Sequence, residues 1–397
     1  MLANFPKLSE SFILNELLAL RALGVEVEVA AFADPSERHR REGAARIPVH
    51  YVPPPRSWAL LRHPAALATT LRLPGNLRHR SIAVVRAHQL LALIRTWATP
   101  PDRLHAHFAD GPSVVALLAA RALGRPCSLT AHSVDLFCNP DPALLQLVLE
   151  GVDVVVVPAQ GSKEHLVARH RLTPQRIAVV RAVADPSLYP QRPTPAVARA
   201  TPGPTALLAA RLVDKKGARF AIEAMAQLAE RRPTLRLDIV GEGPLEAQLR
   251  HQAQALGLEQ RVRFLGAIPD AQLHQALREA DLFVLPCIIT PDGDRDICPL
   301  TLQEAMLVGV PVIAGRAGST EELVIDGRTG RLVAGDDPAA IAAAIDAVLG
   351  DPAATAAMVE AAGEFVRQEF DPRRNALRLL QAWGVGPDQV REESARS

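Results

Sequence analysis

The chain has 397 residues, 48% hydrophobic and 22% charged, with 33 prolines and 24 glycines. That is too long for one hydrophobic core and too apolar for a disordered or collagen-like chain, so two globular domains, or three, are expected. Lys+Arg 44 against Asp+Glu 43 leaves +1, and aromatics are only 4%, which argues against a nucleic-acid partner.

Ser9-Glu-Ser-Phe offers an N-cap to a helix that runs through Leu23 and stops at Gly24, and Val25-Glu-Val-Glu-Val reads as the next strand. Between Glu42 and Asp102 there is no acidic residue but eight arginines: Arg46, Arg56, Arg62, Arg72, Arg78, Arg80, Arg86 and Arg95. Apolar residues interleave with them, as at Trp58-Ala-Leu-Leu. The mixture reads as a cationic amphipathic surface suited to an anionic leaflet or a lipid-linked acceptor. The plainer reading is a solvated helical face in a chain with 40 arginines and four lysines. Short apolar runs at 104–108, 127–131 and 152–157 read as buried strands, with helices at 112–123 and 141–150 between them.

A Pro-rich stretch from Pro190 to Pro204 then breaks the pattern and reads as a linker. Beyond it the alternation restarts. Strands are expected at 205–210, 235–240, 261–265, 282–286 and 310–314, and helices at 217–231, 244–256, 270–279, 300–308, 319–325 and 337–349. Strands separated by helices of this length form parallel, doubly wound sheets. The expected division is residues 1–190 as one Rossmann-like domain, 191–204 as linker, 205–370 as a second such domain, and 371–397 as a helix and tail packing back on the first. The two domains are expected to face a common cleft.

No apolar run reaches the roughly 18 residues of a membrane span, and no signal peptide is evident. Cys127, Cys138, Cys287 and Cys298 form no CxxC pair, which argues against a zinc ribbon or dithiol site and fits a reducing compartment. A cytosolic protein is expected, associated with the inner face of the membrane if the arginine run serves that role. The first 190 residues carry +6 and the remainder −5.

Ligands of open α/β sheets bind at the carboxyl ends of strands, beside helix N-termini. Three segments fall at such places. Gly241-Glu-Gly243-Pro244 follows a strand; it lacks the third glycine of a dinucleotide fingerprint and reads equally as a tight turn. Arg211 with Lys215-Lys216-Gly217 puts cations where a diphosphate would need them, against the plainer reading of an exposed basic turn. The strongest segment is Pro291-Asp-Gly-Asp-Arg-Asp296-Ile-Cys-Pro299-Leu-Thr-Leu-Gln-Glu304. There a helix starts after Pro299, leaving N–H groups near Leu300 and Thr301 unpaired. Glu304 could accept from two ribose hydroxyls, and Asp296 could reach a sugar.

The chain resembles the retaining glycosyltransferases of family 4, which have the GT-B fold, along nearly its whole length. The likeness rests on Phe5-Pro-Lys-Leu-Ser-Glu-Ser-Phe-Ile13, Leu104-His-Ala-His-Phe108, Ser128-Leu-Thr-Ala-His132-Ser-Val-Asp135 and Arg211-Leu-Val-Asp-Lys-Lys216-Gly. It continues through Val240-Gly-Glu-Gly-Pro244, Phe264-Leu-Gly-Ala-Ile-Pro269, Ala280-Asp-Leu-Phe-Val-Leu-Pro286, the acidic segment and Asp326-Gly-Arg-Thr-Gly330. Within the family it is most similar to bacterial exopolysaccharide enzymes of the colanic-acid type. The resemblance implies transfer of a sugar, with retention, from a nucleotide-diphospho-sugar to an acceptor hydroxyl, on a saccharide or a lipid-linked saccharide. It implies donor binding by Arg211, Lys216, Gly243, the amides of Leu300 and Thr301, and Glu304. Catalytic contacts would come from Asp296 and His132, and a loop at Lys7 and Ser9 would close over the site. No cofactor and no metal are implied; Asp292-Gly-Asp294 is nominally DxD but lies in a loop.

Three departures stand out. Asp296 replaces the family's Glu, Ile297 stands where a glycine is usual, and the apolar strand usual before Phe5-Pro is not evident. The last suggests a late-assigned start codon or a first sheet short of one element. Of the histidines, His132 is expected to serve the ligand, with a capping or core role as the alternative. His105 and His107 are expected on opposite sides of their strand, His107 at the cleft and His105 structural. Cys298 reads as a small filler. Two other functions remain open on these residues: a GT-B sugar-nucleotide epimerase, and a non-catalytic nucleotide-sugar binder.

Overall fold

The computed structural model describes residues 1–6, 10–34, 46–54, 77–139, 141–192 and 203–386. Arg56, Arg62, Arg72, Lys7 and Ser9 lie outside them, as does most of the expected linker. The chain divides into two compact units, Met1–Ala182 with Pro372–Ser397, and Val183–Asp371.

In the first unit the elements run β1 (Leu2–Asn4), α1 (Ser11–Ala22), β2 (Val29–Ala33), β3 (Val49–Tyr51), α2 (Leu77–Ile94), β4 (Leu104–His107), α3 (Gly111–Leu123) and β5 (Cys127–Thr130). There follow α4 (Ser133–Phe137), α5 (Pro142–Gly151), β6 (Val154–Val157), α6 (Gln160–His170) and β7 (Ile177–Val179). The strands form two parallel sheets, β1-β2-β3 and β4-β5-β6-β7. Met1 joins them: its amine donates to His105 O at 2.6 Å, and His107 N–H donates to Met1 O at 3.3 Å. The sheet thus has an apolar strand ahead of Phe5-Pro, three residues long, where the sequence suggested a missing element.

The strand expected at Val25 starts four residues later. Gly24 N–H and Val25 N–H still bond back to Arg21 O and Leu20 O, so the chain is closing off α1 there and cannot yet pair. Val25 and Val27 instead pack, with Trp383, against a cluster that includes Leu20, Leu379 and Leu380.

In the second unit β8 (Thr205–Ala209), α7 (Ala218–Gln227), β9 (Arg236–Val240), α8 (Glu246–Ala255), β10 (Val262–Gly266) and α9 (Asp270–Glu279) lead to β11 (Leu282–Leu285). Then come α10 (Leu300–Val308), β12 (Val312–Gly315), β13 (Arg331–Val333), α11 (Pro338–Gly350) and α12 (Pro352–Glu369). The helix expected at 319–325 is a single 3-10 turn, Thr320–Glu322. All six strands are parallel, in the order β10-β9-β8-β11-β12-β13. Strands β8, β11 and β12 read as continuous apolar runs because helices cover both faces; Leu207, Leu208, Phe283, Val284 and Ile313 are all buried. Each such side chain contributes about 1.5–3 kcal/mol.

Connections run outward in both directions from β8 and β11, so the topological switch, where ligands of such sheets bind, lies between those two strands. The last helix, α13 (Pro372–Ala382), belongs to the first unit and packs on α1, with Asn375 Oδ1 accepting from Arg181 N–H at 3.0 Å. The division between units falls at Ala182/Val183, ahead of the Pro-rich stretch. Residues 183–192 are held by the second unit through Ala184 N–H to Gln303 Oε1 (3.0 Å) and Arg192 N–H to Val308 O (2.9 Å).

Candidate active site

The sequence-derived candidates fall into one cluster in each unit. In the second unit they collect at the switch point. Lys216 sits in a 3-10 turn just past β8, Asp214–Lys216, and Asp296 in the loop leaving β11. Gly217 makes their approach possible: a Cβ there would come within 1.9 Å of Pro286 O, at φ +68°, where only glycine rests without strain. Lys216 Nζ donates to Asp296 Oδ2, and both side chains are only 15% exposed.

Burial alone would raise the Asp296 pKa, but Lys216, Lys215 and the Ile297 N–H (3.0 Å) outweigh it and hold the carboxyl below its usual range. Burial likewise works against the Lys216 charge. Asp296 overcomes it and leaves the ammonium above its usual value, while Arg211, a like charge nearby, works the other way. Arg211 is exposed at the exit of β8, within electrostatic reach of Lys216. A charged pair with a second cation beside it can meet a diphosphate on the cationic side and a sugar on the anionic side.

Lys215, the neighbour of Lys216 in the two-lysine turn, fixes the acidic loop. It is buried, donates to Asp294 Oδ1 at 2.9 Å and to Arg295 O at 3.3 Å. The loop therefore enters α10 from a defined direction through Cys298, held at φ +60°, and Pro299. The first turn of α10 carries Leu300 and Thr301, and Glu304 follows one turn in, 5% exposed. The Gly241-Glu-Gly243 turn is explained by packing. A Cβ on Gly241 would stand 1.9 Å from Ala210 O, and one on Gly243 2.3 Å from Leu212 O. Leu212 N–H donates to Glu242 O at 2.9 Å, so the turn is stitched to the segment carrying Arg211.

In the first unit, His107 ends β4 and His132 follows β5, whose partner register sets His107 opposite Thr130. His105 and His107 were expected on opposite sides. They share one side, with ring centroids 4.9 Å apart in an edge-on contact, because strand side chains repeat every second residue. His105 is structural, with Nδ1 2.8 Å from Ser128 Oγ and Nε2 3.0 Å from Thr130 Oγ1. His107 is 3% exposed, with Nδ1 3.4 Å from His132 Nε2 and Nε2 3.3 Å from Glu16 Oε1.

His132 is the N-cap of α4 in a capping box with Asp135, whose Oδ2 accepts the His132 N–H at 2.7 Å. Its ring packs on Phe12 (4.8 Å) and Phe108 (4.4 Å). Burial, reinforced by His107, holds its pKa well below the ordinary imidazole value, so the ring is neutral at pH 7. Asp110 and Asp135 stand nearby with pKa values raised to about 7 and about 6, in both cases chiefly by burial. Glu16, His105 and His107 offer three ligand atoms within 4.8 Å of one another. Since both His105 nitrogens are engaged with hydroxyls, only Glu16 and His107 remain as candidate ligands, fewer than a tetrahedral zinc site uses. Glu16 had no signal in the sequence, where it is an ordinary acid on a helix.

Two family models match the chain: Glycosyltransferase Family 4 over residues 9–188 and Glycosyl transferases group 1 over residues 195–365. It is 32% identical over 410 residues to a protein of Escherichia coli K12 named as a colanic acid biosynthesis glycosyltransferase, WcaL, covering 96% of this chain and 98% of that one. The chain belongs to the family 4 glycosyltransferases. This family 4 glycosyltransferase is also 27% identical to the amylovoran biosynthesis glycosyltransferase AmsK of Erwinia amylovora, over 92% of this chain and 94% of that one. Its fold matches that of Anabaena Alr3699/HepE, solved in complex with UDP-glucose, at a TM-score of 0.75 and 20% identity, over 96% and 98% of the two chains. The fold is GT-B, an α/β architecture of two Rossmann-like domains, and the family transfers sugar with retention.

Proposed function

We propose that this glycosyltransferase moves a sugar, with retention, from a nucleoside-diphospho-sugar to a hydroxyl of a saccharide, carried on a lipid, in the assembly of a bacterial surface polysaccharide. The observation that carries the reading is the Lys216–Asp296 pair, set with Arg211 at the switch point of the second unit and leading into the first turn of α10. In this reading Arg211 and Lys216 take the diphosphate, the amides of Leu300 and Thr301 complete its site, and Glu304 takes the ribose hydroxyls. Asp296 and His132 serve the transferred sugar. As the glycosidic bond breaks, negative charge grows on the leaving diphosphate and positive charge on the anomeric carbon. Fixed cations on one side and a carboxylate on the other then stabilise the transition state more than the ground state. The leaving phosphate oxygen accepts the acceptor's proton, so no strong protein nucleophile is required.

The relatives named for colanic acid and amylovoran biosynthesis support the polysaccharide context. The arginine run supports an acceptor at an anionic membrane surface, and no single helix among the described residues is long and apolar enough to cross one. The test is a panel of UDP-, GDP- and ADP-sugars incubated with and without lipid-linked saccharide from a surface-polysaccharide pathway. The reading expects nucleoside diphosphate to appear only with acceptor, and the new linkage to keep the donor's anomeric configuration. Inversion at C2 of free donor, or binding without turnover on every acceptor, would overturn it.

A further inference from the structure

Glu16 projects from α1, a helix whose buried residues include Ile13, Leu14 and Leu20. A carboxylate in such a place must be matched. Its Oε1 lies 3.3 Å from His107 Nε2 at ion-pair distance, and neither of these buried atoms makes a hydrogen bond, so each is the polar group that the other faces. On the other edge of the His107 ring, Nδ1 lies 3.4 Å from His132 Nε2, and the two rings are tilted by only 18°. A carboxylate accepts and cannot donate, so this placement matches a His107 with its proton on Nε2 and a lone pair on Nδ1 toward His132. The donor in reach is His132 Nε2–H. The far end agrees: His132 is the N-cap of α4, and its side chain is set toward the Asp135 N–H in the capping box, a group that only donates. The polarity of the whole row therefore runs one way, from the start of α4 through His132 and His107 to Glu16. His105 braces it, with both ring nitrogens held by Ser128 and Thr130 and its edge against His107.

We propose that Glu16 is a positioning residue: through His107 it holds His132 as the neutral ring protonated on Nε2, a form suited to a sugar hydroxyl rather than to a diphosphate. The proposal rests on the reading that His132 serves the sugar, and it adds the residues that set its chemical form. It assigns the cationic work wholly to the second unit.

The test uses the full chain with 15N-labelled histidine. In the wild type, long-range proton–nitrogen spectra should show Nε2 protonated and Nδ1 as a lone pair in both His107 and His132. Glu16→Gln keeps an accepting oxygen and should preserve that pattern. Glu16→Leu removes the acceptor and should populate the Nδ1-protonated form of His107. Sugar transfer should fall about tenfold in Glu16→Leu, the worth of one hydrogen bond, and recover within about threefold in Glu16→Gln. Nucleoside diphosphate affinity should stay within about twofold in both. A wild-type His107 protonated on Nδ1, a charged His132 at pH 7, or equal transfer by Glu16→Leu and wild type would each overturn the proposal. Failure of the wild type to bind nucleoside diphosphate would sink the donor-site reading instead, and leaves the tautomer result to be judged by itself.

Discussion

Removing Lys216 strands a carboxylate. In Lys216→Ala, Asp296 keeps its burial but loses the cation that holds its pKa down. Breaking a buried pair from one side typically costs about 3–5 kcal/mol. Two features reduce that here: the Ile297 N–H still donates to Asp296 at 3.0 Å, and the Lys215 ammonium still acts on it. We expect about 2–3 kcal/mol, and the double variant Lys216→Ala/Asp296→Asn to cost about 1–2 kcal/mol less than the sum of the singles.

Amide hydrogen exchange read on peptides from β8 and β11 measures it. At this cost, exchange limited by opening of the second unit should speed up by about thirty- to 150-fold. Trp97 and Trp383, the tryptophans among the described residues, belong to the first unit, so their contribution to the native fluorescence should not change.

The pH dependence has a defined window. Asp296, with its folded pKa lowered, stabilises fully above about pH 4, and this is lost as pH falls through the lower folded value. Lys216, with its folded pKa raised, stabilises fully below about pH 10, and this is lost above its folded value. A cost under about 0.5 kcal/mol at pH 7, the size of a surface pair, would refute the reasoning.

The first unit should respond to pH in the opposite sense. Asp110 and Asp135, raised to about 7 and about 6, bind protons more tightly folded than unfolded, so stability should fall as pH rises from about 4 to about 7. Asp110→Asn should flatten that slope in urea titrations followed at several pH values; an unchanged slope counts against the assignment. Gly217→Ala would press a Cβ against Pro286 O at φ +68°, and should cost at least about 2 kcal/mol in denaturant unfolding and weaken nucleotide binding. A wild-type midpoint would mean that the turn has slack the structure does not show.

Much of the second unit was legible because its strands are buried on both faces and interrupted by helices with clear starts. Asp296, Lys216 and Glu304 stand out as candidates because a Pro-opened helix and a two-lysine turn both mark strand ends. What escaped depends on three-dimensional context. Val25-Glu-Val-Glu-Val has a strand's alternation, yet the closing turn of α1 still holds Val25. The helix Pro352–Glu369 went unread because an alanine-rich surface helix has little apolar periodicity. His105 and His107 were set on opposite faces although positions two apart must share one. Glu16 is 89 and 91 residues away from them in sequence, and only the fold brings α1 to the end of β4.

The account stands most directly on where the diphosphate is held. Calorimetric titration of a nucleoside diphosphate into wild type, Lys216→Ala and Glu304→Ala measures this without any acceptor. We predict one site per chain in the wild type, affinity lowered by about a hundredfold in Lys216→Ala and about tenfold in Glu304→Ala, each the worth of charge-assisted hydrogen bonds. Equal affinity in all three proteins would contradict the account.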